Sequence, residues 1–202
     1  MKKIAISVIG SLAILVVFAF TTKPTDAYKV DVAASKVGWL AKKVTGQHNG
    51  YVALKEGKLE VKKGKIVSGE FVVDMESITC EDAKDAGMNA KLVGHLKSDD
   101  FFATAKNPTA KFVIKKAESI GKKGDGEAHK ITGDLTIKGI TNPVTFEATT
   151  TEKGKKITAV GKLVFDRLLW KIEYRSGKIF ESIGDKMIYD DVELDLNLTF
   201  TK

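Results

Sequence analysis

A strict alternation of polar and apolar side chains runs through the C-terminal part of the chain. Between Asp191 and Phe200 every second residue is apolar: Val192, Leu194, Leu196, Leu198 and Phe200. Successive side chains of a β-strand point to opposite faces, so this period of two predicts a strand with one buried and one solvated face. An α-helix would scatter the same residues around its surface.

The same period recurs along most of the chain and predicts an antiparallel all-β domain. It is found in residues 67–75, 130–139, 144–148 and 157–165, and a further strand is predicted around residues 110–116. Short turns that contain glycine separate these segments. Strands at about eight sites, joined by short turns, are typical of a barrel or a sandwich.

One segment has a different period. From Glu81 to Leu96, alanines and aliphatic residues recur at helical spacing, and acidic residues crowd the start. Acidic side chains at the N-terminus suit the helix dipole, so we predict a short helix here.

Lysine dominates the positive charge. The chain has a formal net charge of +7, and 31 of its 33 basic residues are lysine. Ten of them lie in four predicted turns, at residues 55–58, 62–65, 122–126 and 152–156. Lysines at turns and edges keep a β-protein soluble and discourage pairing with other chains. A nucleic-acid-binding surface would be expected to use arginine and stacking aromatics on one face, so we expect no nucleic-acid partner.

The N-terminus has the pattern of an export signal. Lys2 and Lys3 precede an apolar run from Ile4 to Phe20, and residues 25–27 supply the small residues of a cleavage site. We therefore expect residues 1–27 to be a signal peptide and residues 28–202 to form one periplasmic or secreted domain without stable membrane insertion. The run is long enough that an uncleaved membrane anchor is the alternative.

Residues that would indicate catalysis or metal binding are few. His48, His95 and His129 are more than thirty residues apart and show no metal-binding spacing, so surface or solvated positions are the simplest interpretation. Cys80 stands beside Glu81, which disfavours a thiolate nucleophile. We expect no catalytic residue, no metal site and no cofactor other than a bound lipid.

Arg167 is unusual in so lysine-rich a chain. It follows an apolar strand and precedes the aromatic stretch that contains Trp170. Its planar guanidinium predicts a geometric role, for which two interpretations stand: it pins a loop to Asp166 or to the backbone, or it contacts an anionic or carbonyl-bearing ligand head.

Several segments together resemble the YceI-like family of exported, lipocalin-like, polyisoprenoid-binding proteins. The matching stretches are residues 28–31, 35–39, 92–102, 108–112, 131–141, 165–167 and 184–185, followed by the alternating C-terminal strand. The resemblance implies a single antiparallel eight-stranded lipocalin-like barrel with a long apolar pore that holds a polyprenyl chain. The predicted helix would then lie near one opening.

On this basis we expect an exported protein that sequesters or carries an isoprenoid lipid, such as a quinone or a polyprenyl phosphate. Predicted pore residues are Phe71, Val73, Phe112, Ile114, Leu135, Ile137, Phe146, Leu163, Phe165, Leu194 and Leu196. Leu92, Leu96, Phe101 and Phe102 are expected to cap one opening, with Arg167 and Trp170 as candidates for contact with the ligand head. The alternatives are an enzyme acting on an isoprenoid or quinone, and a structural or protein-binding domain with a filled core. A homodimer is compatible with the sequence.

Overall fold

The computed structural model of the protein describes residues 25–62 and 65–202. Most of the predicted signal peptide, residues 1–24, therefore lies outside the described residues. Among the described residues, no helix is long and apolar enough to cross a membrane.

The described part of the chain is built almost entirely from strands. They are β1 (Asp26–Val30), β2 (Lys36–Lys43), β3 (Gly46–Lys62), β4 (Lys65–Asp74), β5 (Thr109–Lys123), β6 (Gly126–Ile137), β7 (Ile140–Lys153), β8 (Lys156–Asp166) and β9 (Ile188–Thr201). One α-helix, α1 (Ala86–Lys97), lies between β4 and β5. Short 3-10 turns occur at Met75–Ser77, Arg167–Trp170 and Gly184–Lys186.

The strands close into a barrel with eight positions. Neighbours follow the order β3-β2-β9-β8-β7-β6-β5-β4, and pairing of β4 with β3 closes the ring. β1 and β2 share one of the eight positions. Both strands lie between β3 and β9, and a break at residues 31–35 separates them. All nine strands pair antiparallel with their neighbours. The fold class predicted from the sequence is therefore confirmed, and the sandwich is excluded.

The alternating segments form strands as predicted, but one segment predicted to be a turn lies inside a strand. Residues 55–58 lie inside β3, where Gly57 pairs with Phe71 and the register shifts between Leu54 and Glu56. A bulge of this kind lets a strand bend and absorb an extra residue without ending. Residues 47–50, which also look like a polar turn, pair with β2.

The helix begins later than its acidic start suggested. Asp85 is the N-cap, and its carboxylate accepts a hydrogen bond of 2.8 Å from the backbone N–H of Met88. Glu81 and Asp82 precede the cap in an extended segment. A capping carboxylate satisfies one of the free N–H groups of the first turn, and this fixes where α1 starts.

The meander places three lysine-rich connections at the same end of the barrel. Turns at residues 123–126 and 153–156 join β5 to β6 and β7 to β8, and Lys62 of β3 pairs with Lys65 of β4 at this end. We call this the lysine end. The opposite end, the helix end, carries α1 and the Arg167–Trp170 turn.

Candidate ligand-binding cavity

The interior of the barrel is hollow at its middle. A chamber of about 100 Å³, here the middle chamber, is lined almost wholly by carbon atoms. Nine predicted pore residues line it: Phe71, Val73, Phe112, Ile114, Leu135, Phe146, Leu163, Leu194 and Leu196. Leu194 and Leu196 point inwards and yet keep partial exposure, because the space beside them is not filled by other side chains.

A second apolar chamber lies towards α1. This helix-end chamber has a volume of about 120 Å³. The predicted residues that line it are Val73, Leu96, Phe101, Phe102, Leu135, Ile137, Phe165, Arg167 and Leu194. Trp39, Met75, Ile78 and Ile172 also line it. Sequence reasoning missed these four, although Trp39 follows the period-two pattern of β2.

Four aliphatic side chains separate the two chambers. Val37, Val73, Leu135 and Leu194 line both chambers and come from β2, β4, β6 and β9 respectively. Since these strands are spread around the barrel, the four side chains form a ring, here called the waist. A chain that occupies both chambers has to pass this ring.

A polar pocket at the lysine end, here called the mouth, borders the middle chamber. This mouth has a volume of about 410 Å³ and shares Leu59, Ile66 and Thr150 with the middle chamber. Its charged residues are Lys122, Asp125, Glu127 and Glu152. Sequence reasoning missed the mouth, because its residues come from different turns that only the closed barrel brings together.

Two buried polar side chains stand beside the mouth. Tyr28 is 2% exposed, and its hydroxyl donates a 2.8 Å hydrogen bond to Glu152 Oε1. Burial, followed by the neighbouring Glu152 carboxylate, raises the pKa of Tyr28 to about 12. The phenol therefore remains a neutral donor at physiological pH.

His129 does not have the solvated position expected from the sequence. It is 1% exposed, and its Nε2 lies 2.9 Å from the Thr150 hydroxyl oxygen. Burial lowers the pKa of the imidazole, because a charged ring would lose its hydration. The turn ends at residue 126, so His129 lies within β6 and on its inward face.

The guanidinium of Arg167 is bound by the chain itself. Its Nε donates to the Tyr189 carbonyl at 3.2 Å, Nη1 to the Ile172 carbonyl at 2.6 Å, and Nη2 to the Ile188 carbonyl at 3.2 Å. Asp190 Oδ1 lies 3.2 Å from Nη2. Three of the five guanidinium N–H groups are thus used within the chain, and Arg167 also borders the helix-end chamber, where contact with a ligand head stays a prediction. The structure supports the loop-pinning interpretation.

Trp170 and Leu92 lie outside both chambers. Trp170 is 0% exposed, donates its indole N–H to the Leu135 carbonyl at 3.2 Å and packs edge-on against Phe165. It is part of the wall behind the chamber, which removes it from the expected ligand-head contacts. Leu92 is half-buried on α1 and packs against the core.

The predicted cap of the helix end is formed by Leu96, Phe101 and Phe102. All three line the helix-end chamber, and the Phe102 N–H donates to the Leu96 carbonyl at 3.1 Å. The Phe101 ring packs against Tyr174 and against His95, which pairs with Asp100 at 2.9 Å. We call Leu96, Phe101 and Phe102 the lid.

The chemistry of the two apolar chambers is that of a hydrocarbon site. Among the described residues that line them, Arg167 and Tyr189 are the only titratable side chains, and three of the five N–H groups of Arg167 donate to carbonyls of the chain. Transfer of an apolar chain from water into such a site lowers the free energy. A polar head would be stable only at an end, where hydrogen-bonding groups and water are available.

Comparison with known families and curated proteins gives matches along the whole described barrel. The sequence model of the YceI-like domain family matches residues 28–200. A UPF0312 protein of Shewanella denitrificans is 36% identical over 112 residues, covering 55% of this chain and 52% of that protein. Protein YceI of Escherichia coli O157:H7 is 52% identical over 54 residues, or 27% of this chain and 26% of that protein. These alignments span about half or less of the relatives' length.

Solved structures share the fold. Burkholderia cenocepacia BcnA matches with a TM-score of 0.66 at 24% identity, covering 84% of this chain and 98% of that chain. A polyisoprenoid binding domain from Saccharophagus degradans, implicated in plant cell wall breakdown, matches with a TM-score of 0.61 at 14% identity over 86% and 97% of the two chains. The Campylobacter jejuni YCEI protein matches with a TM-score of 0.53 at 18% identity over 100% and 99%.

Proposed function

The chain belongs to the YceI-like domain family, and from this membership we propose that it binds an isoprenoid lipid inside its barrel and carries or sequesters it without chemical change. The observation that carries the proposal is the pair of apolar chambers joined at the waist. The similar structure from Saccharophagus degradans is a polyisoprenoid binding domain, which supports the same class of ligand.

Burial of the lipid tail supplies the affinity in this proposal. At about 0.8 kcal/mol for each buried CH₂ group, one five-carbon isoprene unit contributes roughly 3–4 kcal/mol as an upper bound. Association and ordering cost about 4–15 kcal/mol. A tail that buries several units therefore offsets this cost without strong contacts to the head, whereas one or two buried units offset only the lower part of it.

The length of tail that fits is set by the chambers. An apolar cavity of about 150 Å³ accepts one benzene molecule. By this comparison the chambers of about 100 and 120 Å³ each accept about one isoprene unit as they stand. A longer tail has to displace side chains of the waist or of the lid.

We place the ligand head at the lysine end. The polar mouth shares three lining residues with the middle chamber and offers Lys122, Asp125, Glu127 and Glu152 to a polar group, whereas the lid covers the helix end. A quinone would accept hydrogen bonds there, and a polyprenyl phosphate would pair with Lys122. Both remain candidate heads, and binding assays with each lipid distinguish them.

A cavity-filling variant tests the proposed function. Ala159 lines the middle chamber, while its neighbour Val160 points outwards and is 56% exposed. We expect Ala159→Phe to fold and to lose its lipid, because the ring occupies the chamber, and Val160→Phe to keep its lipid. Extraction of the purified proteins followed by mass spectrometry measures both, and lipid supplied to the protein should be recovered with unchanged mass. A folded Ala159→Phe protein that carries as much lipid as the wild type would contradict the proposal.

We also propose that the protein is exported and cleaved after Ala27. Cleavage there leaves Tyr28, Lys29 and Val30 of β1 to pair with β3 and β9. The intact mass of the exported protein tests this: a chain starting at Tyr28 is expected, and a full-length chain held in the membrane would show the uncleaved anchor instead. The homodimer stays a prediction, which measurement of the molecular mass in solution tests.

A further inference from the structure

Three potential metal ligands meet beside the helix end. His48 lies on β3, and Cys80 and Asp82 lie on the extended segment that precedes α1. Their ligand atoms all lie within 4.8 Å of one another. His48 Nδ1 is 2.8 Å from Asp82 Oδ2, and Cys80 Sγ is 3.3 Å from Asp82 Oδ1.

The segment that carries two of these ligands is held in place by hydrogen bonds. The N–H groups of Thr79 and Glu81 donate to the carbonyls of Tyr51 and Asn49 on β3, at 2.9 and 2.8 Å. Asn89 on α1 donates to the Cys80 carbonyl at 2.7 Å. Because the backbone is already fixed, ordering the ligands around an ion costs less conformational entropy.

A glycine makes the close approach of this segment possible. A Cβ atom at position 50 would lie 2.0 Å from the Thr79 carbonyl oxygen. Any side chain there would push the segment away from β3 and separate Cys80 and Asp82 from His48. Gly50 is therefore a positioning residue for the cluster.

We propose that His48, Cys80 and Asp82 form a binding site for a divalent transition metal ion, with Zn²⁺ as the best match. Zinc takes imidazole nitrogen, thiolate sulfur and carboxylate oxygen at about 2.0–2.3 Å, in tetrahedral geometry. Three protein ligands leave the fourth position to water. The soft sulfur and the imidazole make Mg²⁺ and Ca²⁺, which prefer oxygen ligands, poor competitors.

Charge and access fit an incoming cation. The Asp82 carboxylate supplies negative charge, and its Oδ1 accepts a hydrogen bond of 2.9 Å from the Asn49 N–H, which holds the carboxylate beside His48. Burial disfavours the thiolate form of Cys80, so the ion itself has to displace the thiol proton, which passes to the buffer and leaves a thiolate ligand. The ion likewise replaces the His48–Asp82 hydrogen bond, because His48 would bind it through Nδ1 with the ring proton on Nε2. The His48 and Asp82 side chains are 33% and 31% exposed, which gives the ion a path to the buried sulfur.

The site is separate from the proposed lipid cavity. None of its three ligands is among the residues that line the mouth, the middle chamber or the helix-end chamber. Metal binding can therefore be measured on lipid-free protein, and its outcome does not depend on whether the barrel carries a lipid.

Two measurements test the site on the full chain, prepared without a polyhistidine tag, stripped of metal and kept reduced. Calorimetric titration with ZnCl₂ is expected to give one ion per chain. Titration with CoCl₂ is expected to give a thiolate-to-cobalt charge-transfer band in the near ultraviolet, since cobalt reports directly on sulfur coordination. A cobalt complex without this band would overturn the proposal whatever its affinity.

Matched variants separate the cluster from ordinary surface histidines. Cys80→Ser, His48→Gln and Asp82→Asn should each weaken Zn²⁺ binding by at least about tenfold, since loss of even an outer-shell partner costs that much. His95→Gln is the control, because it removes another His–Asp pair, with Asp100 at 2.9 Å, but no thiol. Equal Zn²⁺ affinity in the wild type and in folded Cys80→Ser, or a loss in His95→Gln instead, would refute the site.

Discussion

At the scale of single residues, the sequence pointed to Arg167 as special but did not reveal what it does. Arg167 is one of only two arginines in a chain with 31 lysines, which points to a need for its planar set of donors. Its partners are carbonyls of Ile172, Ile188 and Tyr189, and no local pattern shows that these come together around one side chain. His129 was misjudged for the same reason, since its burial depends on the opposing strands.

Replacing Arg167 distinguishes the two roles considered for it. Arg167→Met removes the hydrogen-bond donor of three carbonyls and leaves the Asp190 carboxylate, among the described residues, with only the exposed Lys178 Nζ at 3.4 Å, so we expect the free energy of unfolding to fall by about 3–5 kcal/mol. Lipid content of the folded fraction should be unchanged. Urea denaturation and lipid extraction measure both, with exposed Arg175→Met as the control. Unchanged stability together with altered head selectivity would instead support the ligand-head role.

The buried His129 predicts a dependence of stability on pH. Burial lowers its pKa in the folded state, so as pH falls below about 6.5 the unfolded chain takes up a proton that the folded protein does not. The free energy of unfolding should therefore decrease on acidification, by at most about 1.4 kcal/mol per pH unit from this group. Denaturation curves at pH 7.5 and 5.5 should show a smaller decrease in His129→Asn. An equal decrease in both proteins would rule out this origin.

At the scale of strands and helices, periodicity is a strong guide and turn composition a weaker one. Alternation in β9 and β6 reflects a local property of strands, namely that neighbours face opposite ways, so the sequence suffices to identify the inward side chains. Residues 55–58 have turn-like composition, yet pairing with β4 carries the strand through them. Tertiary pairing outweighs local preference there, and a single sequence does not show it.

Adjacent positions of β7 test the assignment of its two faces. Phe146 lines the middle chamber, whereas Thr145 is exposed on the outer face. Phe146→Asp places an unpaired charge in an apolar interior, and we expect it to abolish lipid binding and to cost at least about 3 kcal/mol of stability. Thr145→Asp should stay within about 0.5 kcal/mol of the wild type, as surface changes usually do. Similar losses in the two variants, measured by chemical denaturation, would show that the faces are misassigned.

At the scale of the whole molecule, closure of the barrel decides whether the apolar faces make a packed core or a cavity. The sequence predicts the apolar faces but not the space between them, because that space depends on strand number and on which side chains meet. The structure leaves two chambers and gives them a polar mouth at the lysine end. The same closure gathers turns that are distant in sequence, which is why the mouth was not foreseen.

The most direct test is the affinity of lipid-free protein for isoprenoid quinones that share one head but differ in the number of isoprene units. If the tail supplies the binding energy, affinity should rise with each added unit and level off once the chambers are full. Affinity that is independent of tail length, with the bare head binding equally well, would contradict the account.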